Sequence, residues 1–180
     1  MTDVMLDIET FSTHKNAAIM TIGAIKFNRE GKLDKITKMN TFYKRITLSS
    51  NKELNRHIDE DTLKWWEKQN DDAKFEIFTD ENRISLKEAL EEFVIWFNPS
   101  LFIWSHGKDF DCVIVEDALK SYNITIPWKF WNTRDTRTIF DIGEVSLYEL
   151  PLEFSNKHHA LYDCYRQIYG VKKAYKRLKK

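Results

Sequence analysis

Val4-Met5-Leu6-Asp7-Ile8-Glu9 is an apolar run with two carboxylates set into it. As a strand, its side chains alternate between faces, so Asp7 and Glu9 leave together while Leu6 and Ile8 point the other way, into a core. Two carboxylates side by side on a buried strand repel each other and resist desolvation. A divalent cation resolves that conflict, and Mg2+ characteristically takes one or two carboxylates together with waters and phosphate oxygens. Asp-x-Glu alone is a common pattern, and solvated edge positions are its plain alternative. Its place inside an apolar strand favours the metal reading.

Working outward, Ile19 to Phe27 reads as a second strand, and Asn28-Arg29-Glu30-Gly31 supplies hairpin chemistry. A third strand is expected between Ile36 and Arg45, completing an antiparallel meander. Helices follow: one capped by Asp59 or Asp61 and carrying Leu63, Trp65, Trp66 and Gln69, and one from Leu86 to Phe97 opened by the Ser85/Glu88 capping box and ended by Pro99. Leu101–Trp104 is a short apolar strand, the segment from about Phe110 to Tyr122 a helix, and Thr136 to Phe140 a further strand. Leu161, Cys164, Ile168, Val171, Tyr175 and Leu178 recur at steps of three and four, the single apolar stripe of a final helix with a lysine- and arginine-rich end. A meander followed by alternating helices and strands is an α/β layout, here a single domain over residues 1–180.

Composition sets bounds on function. The 28 basic and 28 acidic residues balance, so the strongly basic footprint of a protein that coats nucleic acid is absent. An enzyme that grips a strand end through cations is not excluded, because the cations supply the positive charge. Aromatic residues make up 14% of the chain, including six tryptophans, which suits core packing and also base-stacking surfaces. Cys112 and Cys164 make no disulfide framework, and no apolar run is long enough to span a bilayer. The chain therefore reads as cytoplasmic, with no membrane partner.

Three further residues join the strand carboxylates. Asp111 opens a helix directly after the Leu101–Trp104 strand and the Gly107 loop, either as a helix cap or as a ligand at the carboxyl end of a strand. His158 and Asp163 are five apart, and five residues of regular helix turn about 140°, so they share a face only if His158 sits in a loop and Asp163 in the first helical turn. Ser155-Asn156-Lys157 supply such a loop. A loop histidine with a pKa near its ordinary value of about 6.5 can accept a proton from water at neutral pH; a surface histidine is the alternative. His159 fits that alternative and receives no role.

Asp7-Ile8-Glu9-Thr10, Phe110-Asp111 and His158-x-Ala160-x-x-Asp163 resemble the three motifs of the DEDD exonuclease superfamily, and the histidine five positions before the last aspartate resembles its DEDDh branch. Asn16-Ala17-Ala18-Ile19, Ile22-Gly23-Ala24, Thr62-Leu63-Lys64-Trp65-Trp66, Trp104-x-x-Gly107, Pro127-Trp128-x-Phe130-Trp131-Asn132 and Asp135-Thr136-Arg137-Thr138 extend the likeness over nearly the whole chain. These resemble a narrower group, the phage and prophage exonucleases related to exonuclease VIII and the mycobacterial exoribonuclease-like domain. His159 departs from it, since Asn is common at that position.

The resemblance implies a ribonuclease H-like fold, a mixed five-stranded sheet flanked by helices. It also implies a metal-dependent 3′-5′ exonuclease that releases nucleoside 5′-monophosphates from the 3′ end of single-stranded DNA or RNA. Asp7, Glu9, Asp111 and Asp163 would hold two Mg2+ ions, with Mn2+ as a substitute, and His158 would take the proton of the attacking water. Thr10, Phe11, Trp65, Phe110 and Arg137 are candidate substrate contacts, Phe11 by stacking or wedging against the last base and Arg137 by contacting phosphate or forming an ion pair. Cys112 and Cys164 read as small packing residues. The sugar is left open, and a homodimer is an expectation from the resemblance alone. The alternatives are a catalytically silent nucleic-acid-binding module and an endonuclease of the same fold, the first predicting loss of at least one of the five residues.

Overall fold

The computed structural model describes residues 1–31, 40–99, 101–146 and 158–179. The opening apolar run forms strand β1 (Asp3–Thr10), which pairs antiparallel with β2 (Ile19–Phe27), itself antiparallel to β3 (Thr41–Ile46). Between β3 and the rest of the sheet come α1 (Leu48–Glu53), α2 (Glu60–Glu67), α3 (Asp71–Phe78), β4 (Arg83–Ile84) and α4 (Leu86–Trp96). Then follow β5 (Phe102–Ser105), α5 (Asp111–Ser121), β6 (Thr133–Asp135), α6 (Thr136–Ile142) and α7 (Ala160–Leu178). The sheet runs β4-β3-β2-β1-β5-β6, with β5 parallel to β1, β6 parallel to β5 and β4 parallel to β3.

Among the described residues the sheet thus has six strands where five were expected. The additional strand β4 spans two residues, too few for alternation to show in a sequence. The expected strand at Thr136–Phe140 is a helix: β6 ends at Asp135, whose side chain accepts the Arg137 amide and caps α6. That cap turns a β-branched run into a first helical turn. The other caps match expectation, Asp59 accepting from the Thr62 amide and Ser85 from the Glu88 amide. Part of the third expected strand, and the Ser155–Lys157 loop, lie outside the described residues.

Period-two burial on β1 divides the core. Val4, Leu6 and Ile8 pack with α4 and α5 residues such as Leu90, Phe93 and Val115 on one face. Met5, Ile25, Phe27 and Trp104 pack on the other, against Phe140 of α6 and Cys164, Ile168 and Val171 of α7. A third cluster, Phe11, Ala18, Met20, Trp66, Ala73 and Ile77, sits under α2 and α3. Cys112 and Cys164 are buried free thiols, as expected of packing residues.

The docking of α7 depends on Gly23, which pairs with Asp7 across β1 and β2. A Cβ there would lie 2.7 Å from the Ala160 carbonyl carbon and from the Leu161 nitrogen. Only a residue without a side chain lets the start of α7 come this close to the sheet. The basic end of α7 is held by the fold: Lys172 donates to the Asn28 carbonyl, Arg177 to that of Gly143, and Lys179 pairs with Glu30 at 2.6 Å.

Candidate active site

Each member of the site is set by a different element. Asp7 and Glu9 leave the α7 face of β1, while Leu6 and Ile8, fully or almost fully buried, fill the opposite face. Asp111 is the first residue of α5, and its Oδ1 accepts the Ile8 amide at 3.2 Å, tying α5 to the backbone between the two strand carboxylates. Asp163 lies in the first turn of α7. His158 stands two residues ahead of that helix at φ +67°, and its amide donates to Asp163 Oδ2 at 3.0 Å. This is the loop-then-helix placement that the spacing required.

All five line one cleft of about 310 Å3, together with His106, Phe110, Arg166 and Gln167. Glu9, His158 and Asp163 each offer a ligand atom, and these atoms lie within 4.8 Å of one another. The His158 ring meets the indoles of Trp65 and Trp66 nearly at right angles, at centroid distances of 4.8 and 5.8 Å. Trp66 is anchored in turn by its Nε1, which donates to the Thr10 carbonyl at 2.9 Å.

The electrostatics of this cleft are those of carboxylates short of positive charge. Burial, and then the charges of Asp111, Glu9 and Asp163, hold the Asp7 carboxyl well above its ordinary range, against the pull of a Gln167 hydrogen bond. Glu9 is raised by burial and by Asp163 and Asp111. Burial pushes Asp111 up to about 7 although the Ile8 amide opposes it, and raises Asp163 despite the His158 amide. Among the described lining residues, Arg166 and the two histidines can carry positive charge, and Arg166 stands 3.6 Å from Asp163 Oδ1. A set of hard oxygen donors in this condition fits a divalent cation.

The expected substrate contacts divide. Thr10, Trp65 and Phe110 line an adjoining cleft of about 440 Å3. Trp66 is buried and Trp65 is 43% exposed, so the two indoles serve different surroundings. Phe11 does not reach the cleft: its ring is buried beside Phe78, 5.9 Å between centroids, because the chain turns under α3 after a bulge at Glu9/Thr10. Arg137 lines neither cleft, and its guanidinium lies over Gly107, whose φ of +101° and lack of a side chain make room for it.

His106, Arg166 and Gln167 were not found by sequence reasoning. Arg166 and Gln167 stand three and four residues after Asp163, on the same helix face, so fixing Asp163 in the first turn of α7 would have identified both. His106 follows β5 directly and shares a hydrogen bond of 2.8 Å between its Nδ1 and Thr136 Oγ1.

Known proteins share this architecture. The model of a family described as the 3′-5′ exoribonuclease Rv2179c-like domain matches residues 2–174. An exodeoxyribonuclease of Enterobacteria phage T4 is 24% identical over 205 residues, covering 97% of this chain and 89% of the phage protein. Among solved structures, the zinc-bound E. coli ExoI–ssDNA complex aligns with a TM-score of 0.67 at 13% identity, over 96% of this chain and 40% of that one. The RNase domain of yeast Pop2 aligns with a TM-score of 0.63 at 10% identity, over 97% and 77%. The chain thus spans two fifths of the ExoI chain, and these structural likenesses establish a ribonuclease H-like fold.

Proposed function

This chain belongs to the family of the 3′-5′ exoribonuclease Rv2179c-like domain and is a 3′-5′ exonuclease of the DEDDh type, and we propose that it degrades single-stranded nucleic acid to nucleoside 5′-monophosphates in the cleft beside β1. The observation that carries this reading is the convergence of Asp7, Glu9, Asp111, His158 and Asp163 on one cleft from β1, α5 and the start of α7. When bound, a pair of divalent cations, Mg2+ or Mn2+, supplies Lewis-acid activation of water and neutralises charge on the phosphate and the leaving oxygen.

Asp7, Glu9, Asp111 and Asp163 are the residues that would hold the metal. His158 accepts the proton of the attacking water at a ring nitrogen, and the indoles of Trp65 and Trp66 pack nearly perpendicular to that ring and orient it. Phe110 and Trp65 give the adjoining cleft an apolar wall for the terminal base, where stacking is worth about 1–3 kcal/mol and tolerates sequence. Among the described residues no helix is long and apolar enough to cross a membrane, and the buried free thiols suit a reducing cytoplasm in a bacterial cell or a phage-infected host.

The family description names RNA and the phage relative DNA, so the test uses both sugars. 5′-labelled DNA and RNA oligonucleotides incubated with Mg2+ or Mn2+ give a descending ladder that chelator abolishes. Asp7→Ala removes the ladder, and His158→Ala lowers kcat by about 10²–10⁴-fold, the usual contribution of a general base. Midstrand cuts, or mutants as active as the parent, overturn the proposal.

A further inference from the structure

Two consecutive side chains of α7 enter the carboxylate cleft one turn beyond Asp163, and the second is uncharged. Gln167 is 6% exposed, and its Nε2 donates to Asp7 Oδ1 at 2.8 Å. Its Oε1 is buried with no hydrogen-bond partner among the described residues. Leaving a buried polar atom unpaired costs about 1–3 kcal/mol, so an apolar side chain of the same volume would serve packing better here. The amide is explained by what it does for Asp7. A lysine or arginine at this position would hold the carboxylate as firmly, but its positive charge would offset the negative charge that attracts a divalent cation. An amide donor fixes one carboxylate oxygen and leaves the full charge in place.

We infer that Gln167 is a positioning residue of the metal centre, orienting the Asp7 carboxylate through Nε2. The inference rests on the metal-dependent reading given above. Partners of this kind, one bond removed from the ion, change metal affinity by about 10–100-fold when they are lost.

Calorimetric titration of the intact chain with Mn2+ tests it. Gln167→Met keeps the volume and loses both polar atoms, and Gln167→Asn keeps the amide but falls short of Asp7. Both variants are expected to bind Mn2+ about 10–100-fold more weakly. At saturating Mn2+ their kcat falls while KM for an oligonucleotide changes little. A folded Gln167→Met with unchanged Mn2+ affinity and a lower melting temperature in chelator marks a packing role only and overturns the inference; if that variant does not fold, Gln167→Asn decides on the same criterion. A parent protein that binds no Mn2+ overturns the metal-dependent reading itself, so the two failures are distinct.

Discussion

Asp111 is the residue at which folding and chemistry conflict most plainly. It accepts the Ile8 amide and so joins α5 to β1, yet burial holds its carboxyl at about 7. In an unfolded chain the same group titrates near 3.9. Between those values the folded state binds more protons than the unfolded one, so stability declines as pH rises from about 4 towards 7. Asp7, Glu9 and Asp163 are raised as well and act with the same sign. The metal-free protein is therefore expected to melt at a lower temperature at pH 8 than at pH 5.5. Asp111→Asn, which keeps an oxygen for the Ile8 amide, raises the pH 8 melting temperature by several degrees and flattens the pH dependence. About 1 kcal/mol moves Tm by roughly 2–4 °C in a chain of this size, so scanning calorimetry in chelator resolves the effect. A profile that rises with pH, or is equally steep in Asp111→Asn, contradicts it. At this scale the sequence was legible where a residue type has few uses in a given setting: carboxylates in an apolar strand announce themselves. Phe11 was not legible, since a phenylalanine after a carboxylate-bearing strand serves a base or a core equally well, and only the turn of the chain under α3 decides between them.

At the scale of elements, the approach of α7 to the sheet is the critical fit. Gly23→Ala places a methyl group within 2.7 Å of the Ala160 and Leu161 backbone, where no flexible side-chain end can yield. The first turn of α7 must move, and His158 and Asp163 with it. A displacement of about 1 Å at reacting groups can cost about 10²-fold in rate, so kcat is expected to fall by about that factor, with circular dichroism showing a folded chain. Activity within twofold of the parent would show that the fit is slack. Trp66 is the matching test on the other side of His158. Truncating a fully buried tryptophan costs about 3–5 kcal/mol, and Trp66→Ala should lower denaturant stability by that amount and kcat along with it. Elements with strong local codes were readable from sequence, as Ser85 with Glu88 and the six-residue stripe of α7 illustrate. The ones that were not draw their identity from neighbours. β4 is two residues that become a strand only beside β3, and Thr136–Phe140 has β-branched side chains but is a helix because Asp135 caps it.

For the molecule as a whole, the site stores a deficit of positive charge that ligand binding makes good. Metal that binds the folded chain alone stabilises it by about 2.7 kcal/mol at a hundredfold excess over Kd. Melting temperature should therefore rise with Mg2+ or Mn2+ concentration and fall back on chelation, with Asp7→Asn showing little response. The overall α/β plan could be read in advance because the strand and helix periods alternate along the chain. The count of six strands could not, since β4 becomes a strand only beside β3, and the grouping of Asp7 and Glu9 with Asp111 and Asp163, more than a hundred positions along the chain, was legible through the resemblance alone. That same separation governs when the cleft can assemble during synthesis. Proteins are synthesised from the N-terminus, and early segments collapse while later ones are still inside the ribosome. A nascent chain that has reached residue 157 already carries Asp7, Glu9 and Asp111, yet it lacks His158 and Asp163, which come with the start of α7. The five residues can therefore meet in one cleft only after the start of α7 has emerged and seated against Gly23.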